Sequence, residues 1–229
     1  LSAQSLGTWF VNGQSGQDIP TNGRSRATPW KTIAYAQRQI PAVNPQTQSR
    51  NWQTLFVAGD QVYSPSTNGE RLPIVPVYNL FLEGTDTSTV PPIVKIGAGG
   101  TGLQFDPRTG YSRNPSTLRR LVFGGGDSGI EIGRATSNRH RPRIQDCVFR
   151  NQLRAGVRIR GGASSADPRF FQNTFQNGRI GIEIDGNPAS GLIVPDIEEC
   201  FFHDLADSGV SVVSTNSGAG SLSTLIRSC

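Results

Sequence analysis

The sequence predicts an all-β fold, a right-handed single-stranded parallel β-helix with one capping α-helix at its N-terminal end. Three observations carry this reading. A hydrophobic motif recurs with starts 26, 26, 27 and 29 residues apart through the second half of the 229-residue chain. A second strand of fixed form, Gly-apolar-x-apolar, follows each of the first four copies. The composition, with 27 Gly, 15 Pro and only 17% charged residues, favours turns and short strands over long helices, the ordinary charged share being about 25%.

From the N-terminus, Thr8-Trp-Phe-Val11 reads as a strand. Thr28-Pro29 supplies an N-cap and a proline for the first helical position. Trp30, Ile33, Ala34, Gln37 and Ile40 then share one face at helical spacing, and Pro41 ends the helix. One amphipathic helix ahead of a solenoid acts as a plug, covering apolar side chains and an unpaired strand edge. Strands resume at Thr54–Val57, Gln61–Tyr63, Pro73–Val75, Leu80–Leu82 and Ile93–Ile96. The stretch 97–114, rich in Gly and Arg, reads as loop around Leu103-Gln-Phe105.

The regular part follows. Its first strands are Leu118-Arg-Arg-Leu-Val-Phe123, Ile144-Gln-Asp-Cys-Val-Phe149, Phe170-Phe-Gln-Asn-Thr-Phe175, Ile197-Glu-Glu-Cys-Phe-Phe202 and the half-copy Ile226-Arg-Ser-Cys229. The second strands are Gly129-Ile-Glu-Ile132, Gly156-Val-Arg-Ile159, Gly181-Ile-Glu-Ile184 and Gly209-Val-Ser-Val212. One such coil cannot bury its own apolar side chains, but coils stacked about 4.8 Å apart can. Equivalent residues then form columns: Ile130, Val157, Ile182 and Val210; Ile132, Ile159, Ile184 and Val212; Phe123, Phe149, Phe175 and Phe202; and Leu121, Cys147, Asn173, Cys200 and Cys229. A β-sandwich also shows closely spaced short strands, but it does not demand the same residue type at every repeat. The whole chain is read as one domain: 1–53 the first strand and capping helix, 54–114 irregular first coils, and 115–229 regular coils of which the last is incomplete. That half-coil predicts further chain or a partner over the C-terminal end.

Net charge is +5, and all basic residues except Lys31 and Lys95 are arginine. The arginines are dispersed, so no nucleic-acid partner is expected. No apolar run approaches the roughly 18 residues of a membrane-spanning helix. The chain opens on Leu1, for which removal of a signal peptide is the simplest account, so an extracellular or cell-surface location is expected. Of three cysteines, Cys147 and Cys200 lie two coils apart, too far for a disulfide, whereas Cys200 and Cys229 lie on adjacent coils and could bridge; otherwise all three are small buried residues. His140 and His203 have no second histidine at ligand spacing, so no metal is expected.

The middle position of the Gly-apolar-x-apolar strands points outward and reads Glu131, Arg158, Glu183, Ser211. Arg158 would stand between two carboxylates roughly 9–10 Å apart, near the separation found in inverting glycosidases. Glu131, Arg158 and Glu183 are thus the candidate catalytic residues, and together with Arg160 and Asp185 they form a candidate ligand-binding patch. The competing reading is a stabilising charge ladder, in which Arg158 holds both carboxylates ionised and so works against a general acid. Asp127, Asp167, Asp185 and Asp207 read as turn residues.

The run Trp9-Phe-Val-Asn-Gly13 with Thr28-Pro-Trp-Lys-Thr-Ile-Ala-Tyr-Ala36 resembles the opening domain, of unknown function, of many secreted bacterial β-helix proteins of the pectate-lyase-like superfamily. Thr54–Ser64 and Leu80–Gly84 continue the likeness, and the later coils are similar to the general repeats of that superfamily. The resemblance implies a right-handed β-helix and secretion; for activity it implies a range from lyases and glycoside hydrolases to tailspikes, adhesins and inactive scaffolds. It also makes Arg158 a candidate lyase base and would admit calcium if the chain were a lyase. The chain departs from active members in lacking Gly-His-Gly, Arg-Ile-Lys and three stacked acidic residues. The expected role is therefore an extracellular module that binds polysaccharide or serves a structural, surface-assembly part, without a cofactor. The alternative is a carbohydrate-active enzyme, a polysaccharide lyase or glycoside hydrolase acting on an acidic polysaccharide.

Overall fold

A computed structural model describes residues 5–41, 52–77, 79–84, 88–105, 116–133, 141–160, 166–186, 192–213 and 221–229. The chain is a parallel β-solenoid with three sheets along its length. The first has eight strands: Ser5–Val11, Trp52–Val57, Leu80–Gly84, Thr117–Arg119, Arg143–Gln145, Arg169–Phe171, Asp196–Glu198 and Leu225–Arg227. The second has six, at Val62–Tyr63, Ile93–Ile96, Val122–Gly125, Val148–Arg150, Thr174–Gln176 and Phe201–His203. The third has five, at Thr101–Phe105, Ser128–Ile132, Ala155–Arg160, Ile180–Asp185 and Ser208–Val213. A short pair, Leu192–Ile193 with Ser221–Leu222, stands outside them.

The repeat register is the register of the sheets. Val157 pairs with Ile130 and Ile182, and Ile182 with Val210. Leu55, Leu82, Leu118, Ile144, Phe170 and Ile197 make the inward column of the first sheet, all at most 1% exposed. Phe123, Phe149, Phe175 and Phe202 stack with ring centroids 5.3, 4.8 and 4.9 Å apart and planes within 8°. Each stacked pair adds about 0.5–1.5 kcal/mol beyond the area it buries.

This stack explains the glycine at the second position of the third-sheet strands Ser128–Ile132, Ala155–Arg160 and Ile180–Asp185. A Cβ on Gly156 would lie 2.6 Å from Phe175 Cδ1 and 2.8 Å from the Gly181 carbonyl oxygen; one on Gly129 would meet Phe149 and Gly156 at 2.7 and 2.6 Å. The phenylalanines therefore exclude any side chain there.

Between the first and second sheets each regular coil turns through one left-handed residue, Arg120, Asp146, Gln172 or Glu199, with φ of 51° to 54°. Such a conformation costs an L-residue roughly 1–2 kcal/mol. It turns the next side chain inward, and Leu121, Cys147, Asn173 and Cys200 are all buried. Asn173 is polar, yet its Oδ1 accepts from the Cys147 backbone N–H at 3.0 Å and its Nδ2 donates to the Ile144 carbonyl at 2.8 Å. The next corner also uses left-handed residues, Asn151, Asn177 and Asp204.

The N-terminal helix, α1, spans Ile33–Gln39 and begins later than the sequence suggests. Its N-cap is Thr32, whose side chain accepts from the Tyr35 N–H, while Thr28 and Pro29 precede the helix. The Asp18 carboxylate takes the N–H groups of Lys31 and Thr32, and Glu70 takes those of Ile33 and Ala34 at 2.7 and 2.8 Å. These distant carboxylates shift the start to Thr32. Trp30, Ile33, Ala36 and Ile40 join the same core as Trp9 and Leu55. Burial raises the pKa of Glu70 above the ordinary carboxylate value, opposed by its backbone donors Ala34, Ile33 and Arg71.

Two other expectations change. The loop expected around Leu103-Gln-Phe105 gives way on its N-terminal side: Thr101–Phe105 is a full strand paired with Ser128–Ile132. Pro73–Val75 forms only an isolated bridge, Ile74 to Leu103. All three cysteines are free thiols; Cys147 and Cys200 are buried and Cys229 is exposed. In the last first-sheet strand, Leu225 and Ile226 are 49% and 50% exposed. Among the described residues no helix is long and apolar enough to cross a membrane.

Candidate functional site

On the third sheet, Gln104, Glu131, Arg158, Glu183 and Ser211 align in one column facing away from the aliphatic interior. The sequence places them on the surface; the structure buries Glu131, Arg158 and Glu183, which are 6%, 7% and 4% exposed. Arg154, from the turn before the Ala155–Arg160 strand, reaches forward one rung and grips Glu183 with two hydrogen bonds, Nε to Oε2 and Nη2 to Oε1, both 2.7 Å. Arg158 Nε lies 3.4 Å from Glu183 Oε1, and Nη2 lies 3.7 Å from Asp185 Oδ2. Arg160 Nε lies 2.9 Å from Glu131 Oε1, without the alignment of a hydrogen bond.

Arg158 is therefore not the bridge between Glu131 and Glu183 that the column suggested. It pairs with Glu183 and Asp185, while Glu131 pairs with Arg160. Two-point hydrogen bonding from Arg154 holds the Glu183 pKa below its ordinary value, with burial opposing and Arg158 adding to the effect. Burial lowers the pKa of Arg158, and Arg160 adds to that, partly offset by Glu183. A carboxylate held ionised in this way is the opposite of a general acid, which needs a raised pKa. Chemically, the third-sheet set is a compact lattice of three arginines and three carboxylates. Asp185 ends a strand rather than occupying a turn.

The first sheet carries a different surface. One outward column runs Thr54, Phe81, Thr117, Arg143, Arg169, Asp196. The next runs Phe56, Glu83, Arg119, Gln145, Phe171, Glu198, Arg227. Along them lies a groove of about 470 Å³ lined by Trp52, Phe81, Thr117, Arg141, Arg143, Asp167 and Arg169. A second hollow of about 320 Å³ continues it past Arg143 and Arg169 to Phe171, Asp196, Glu198 and Arg227. Trp52 and Arg227 are six rungs apart, so the trough is roughly 30 Å long at about 4.8 Å per rung.

Most of its charges are paired. Arg141 meets Asp167 at 2.6 Å, Arg227 meets Asp196 at 2.9 Å and Glu198 at 3.2 Å, and Arg119 meets Asp146 at 3.1 Å. Arg143 and Arg169 are the exception: they are register neighbours, both exposed, and neither has an ion pair among the described residues. Like charges directly opposite one another cost stability, and two open guanidinium forks side by side suit carboxylate or sulfate groups. The signal for this site was in the sequence, in Thr117, Arg143, Arg169 and Asp196, each one residue before an inward Leu118, Ile144, Phe170 or Ile197.

His203 is exposed, with Nδ1 2.9 Å from Asp204 Oδ2, and Asp207 pairs with Arg179 at 2.6 Å. His140 lies outside the described residues. Compared with known proteins, the chain matches no family model, no curated protein and no solved structure.

Proposed function

We propose that the chain is a β-solenoid binding module that holds an extended acidic polysaccharide along the first-sheet trough. The observation that carries this reading is the Arg143–Arg169 couple, without an ion pair among the described residues, set between aromatic surfaces, Trp52 and Phe81 on one side and Phe171 on the other. The guanidinium groups answer the anionic groups of the polymer, and the ring faces offer apolar area to sugar rings. A trough running along the rungs suits a chain ligand better than a compact one. On this reading the module works outside the cell, where such polymers are displayed, and it needs no cofactor. The buried, mutually paired third-sheet carboxylates favour binding over hydrolysis.

The test is affinity electrophoresis through gels containing polygalacturonate, a sulfated glucan or neutral dextran, at two salt concentrations. Retardation by an anionic polymer, weaker at high salt and reduced at least tenfold in Arg143→Ala/Arg169→Ala, is expected. Equal mobility of wild type and double variant in every gel refutes the proposal. Release of unsaturated products from the uronate polymer, followed by ultraviolet absorbance, would replace binding with lyase chemistry.

A further inference from the structure

The corner column that holds Leu121, Cys147, Asn173 and Cys200 continues to Cys229. The strands leading to its last two members are in register, with Ile197 beside Ile226 and Glu198 beside Arg227. Each strand then turns through one left-handed residue, Glu199 or Ser228, with φ of 51° and 52°. Cys200 and Cys229 therefore occupy the same position on adjacent rungs. The Cys229 Sγ lies 3.3 Å from the Cys200 backbone nitrogen, accepting its N–H. A rung spacing of about 4.8 Å falls inside the Cα separation of roughly 4.4–6.8 Å that disulfides span. Cys147 is excluded, because Asn173 occupies the rung between it and Cys200 and donates toward the Cys200 sulfur at 3.8 Å. Two rungs, about 9–10 Å, exceed disulfide reach.

We propose that Cys200 and Cys229 form a redox-addressable clasp, closed by a small-molecule disulfide such as oxidised glutathione. The exposed Cys229 reacts first: its thiolate attacks one sulfur of the oxidant, a mixed disulfide forms, and one glutathione thiolate leaves. The Cys200 thiolate then attacks the Cys229 sulfur, the protein disulfide forms, and the second glutathione leaves. Two protein thiols are oxidised, one oxidant disulfide is reduced, and the two thiol protons end on the two glutathiones. Burial pushes the Cys200 thiol up to about 11, which slows the second step near neutral pH. The closed clasp ties the Leu225–Arg227 strand, whose three residues are all exposed, to the buried body of the solenoid. The inference is independent of the polysaccharide reading.

The test treats the folded 229-residue chain with oxidised glutathione, quenches in acid and maps the peptides without reduction. The expected product links Cys200 to Cys229, lowers the intact mass by about 2 Da, and leaves Cys147 unreactive to alkylation until the protein is unfolded. Conversion of the Cys229 mixed disulfide to the Cys200–Cys229 link should quicken about tenfold per pH unit from neutral pH toward the Cys200 value, as thiolate accumulates. A glutathione adduct on Cys229 that still does not convert to the Cys200 link when the pH is raised, a link to Cys147, or dimers joined through Cys229 would each overturn the proposal.

Discussion

Asn173 shows how one residue can be both a fault and a fastening in a repeat. It interrupts a column of small apolar residues, but its amide closes two backbone groups on the preceding rung, the Cys147 N–H and the Ile144 carbonyl. Asn173→Ala would leave the Cys147 N–H buried and unpaired and should cost roughly 1–3 kcal/mol in urea denaturation; a loss below about 0.5 kcal/mol would mean water or a local shift replaces the amide. Gly156 is the converse case, a residue fixed by what it lacks. Gly156→Ala drives a methyl into the Phe175 ring and the Gly181 carbonyl and should destabilise by about 1–3 kcal/mol. Which residues share a column was legible from spacing alone. Their exposure was not, because a repeat fixes register along the axis and is silent about what lies over a face. Glu131, Arg158 and Glu183 were placed correctly in the column and wrongly in solvent for that reason.

At the scale of the element, the helix shows the same limit. Its apolar stripe was readable, since Ile33, Gln37 and Ile40 are local. Its start was not, because the groups that satisfy its first N–H donors, Asp18 and Glu70, come from sequence positions far from Thr32. Glu70→Ala strands the N–H groups of Ile33 and Ala34 and should cost roughly 2–4 kcal/mol, measured by chemical denaturation; stability equal to wild type would show that the helix end is satisfied another way. The strand at Thr101–Phe105 was only partly legible because Gly102 and the glycines just before it, Gly97, Gly99 and Gly100, mimic loop composition. In the structure Gly102 has Gly129 as its rung neighbour, and a Cβ there would come within 2.8 Å of the Gly129 carbonyl oxygen. Here glycine marks close approach rather than a turn.

At the scale of the whole molecule, charge decides the acid response. The folded-state pKa of Glu183 is depressed, so its stabilising contribution is complete above the unfolded value, near the ordinary 4.5, and disappears as pH falls through the folded value. The stability gap between wild type and Glu183→Gln should therefore be widest near neutral pH and close below about pH 4.5; a gap constant from neutral pH down to acid would show that Arg154 does not hold this group. Glu70 acts in the opposite sense, since its raised value makes its contribution largest in acid and smaller as pH rises through the folded value. The fold class was legible because a solenoid writes its architecture as periodicity. The trough was less so, since it arises from single residues beside the motif, Arg143 and Arg169, whose meaning depends on which of the described neighbours pair with other charges instead.

The phenylalanine stack has a mechanical consequence. Four rings with planes within 8° and centroids near 5 Å leave no wedge between successive rungs. Curving the axis would have to pry one edge of that pile open and lose contact at every level together. The barrel should thus behave as a stiff, straight rod through these coils, one that lengthens by whole steps without arching.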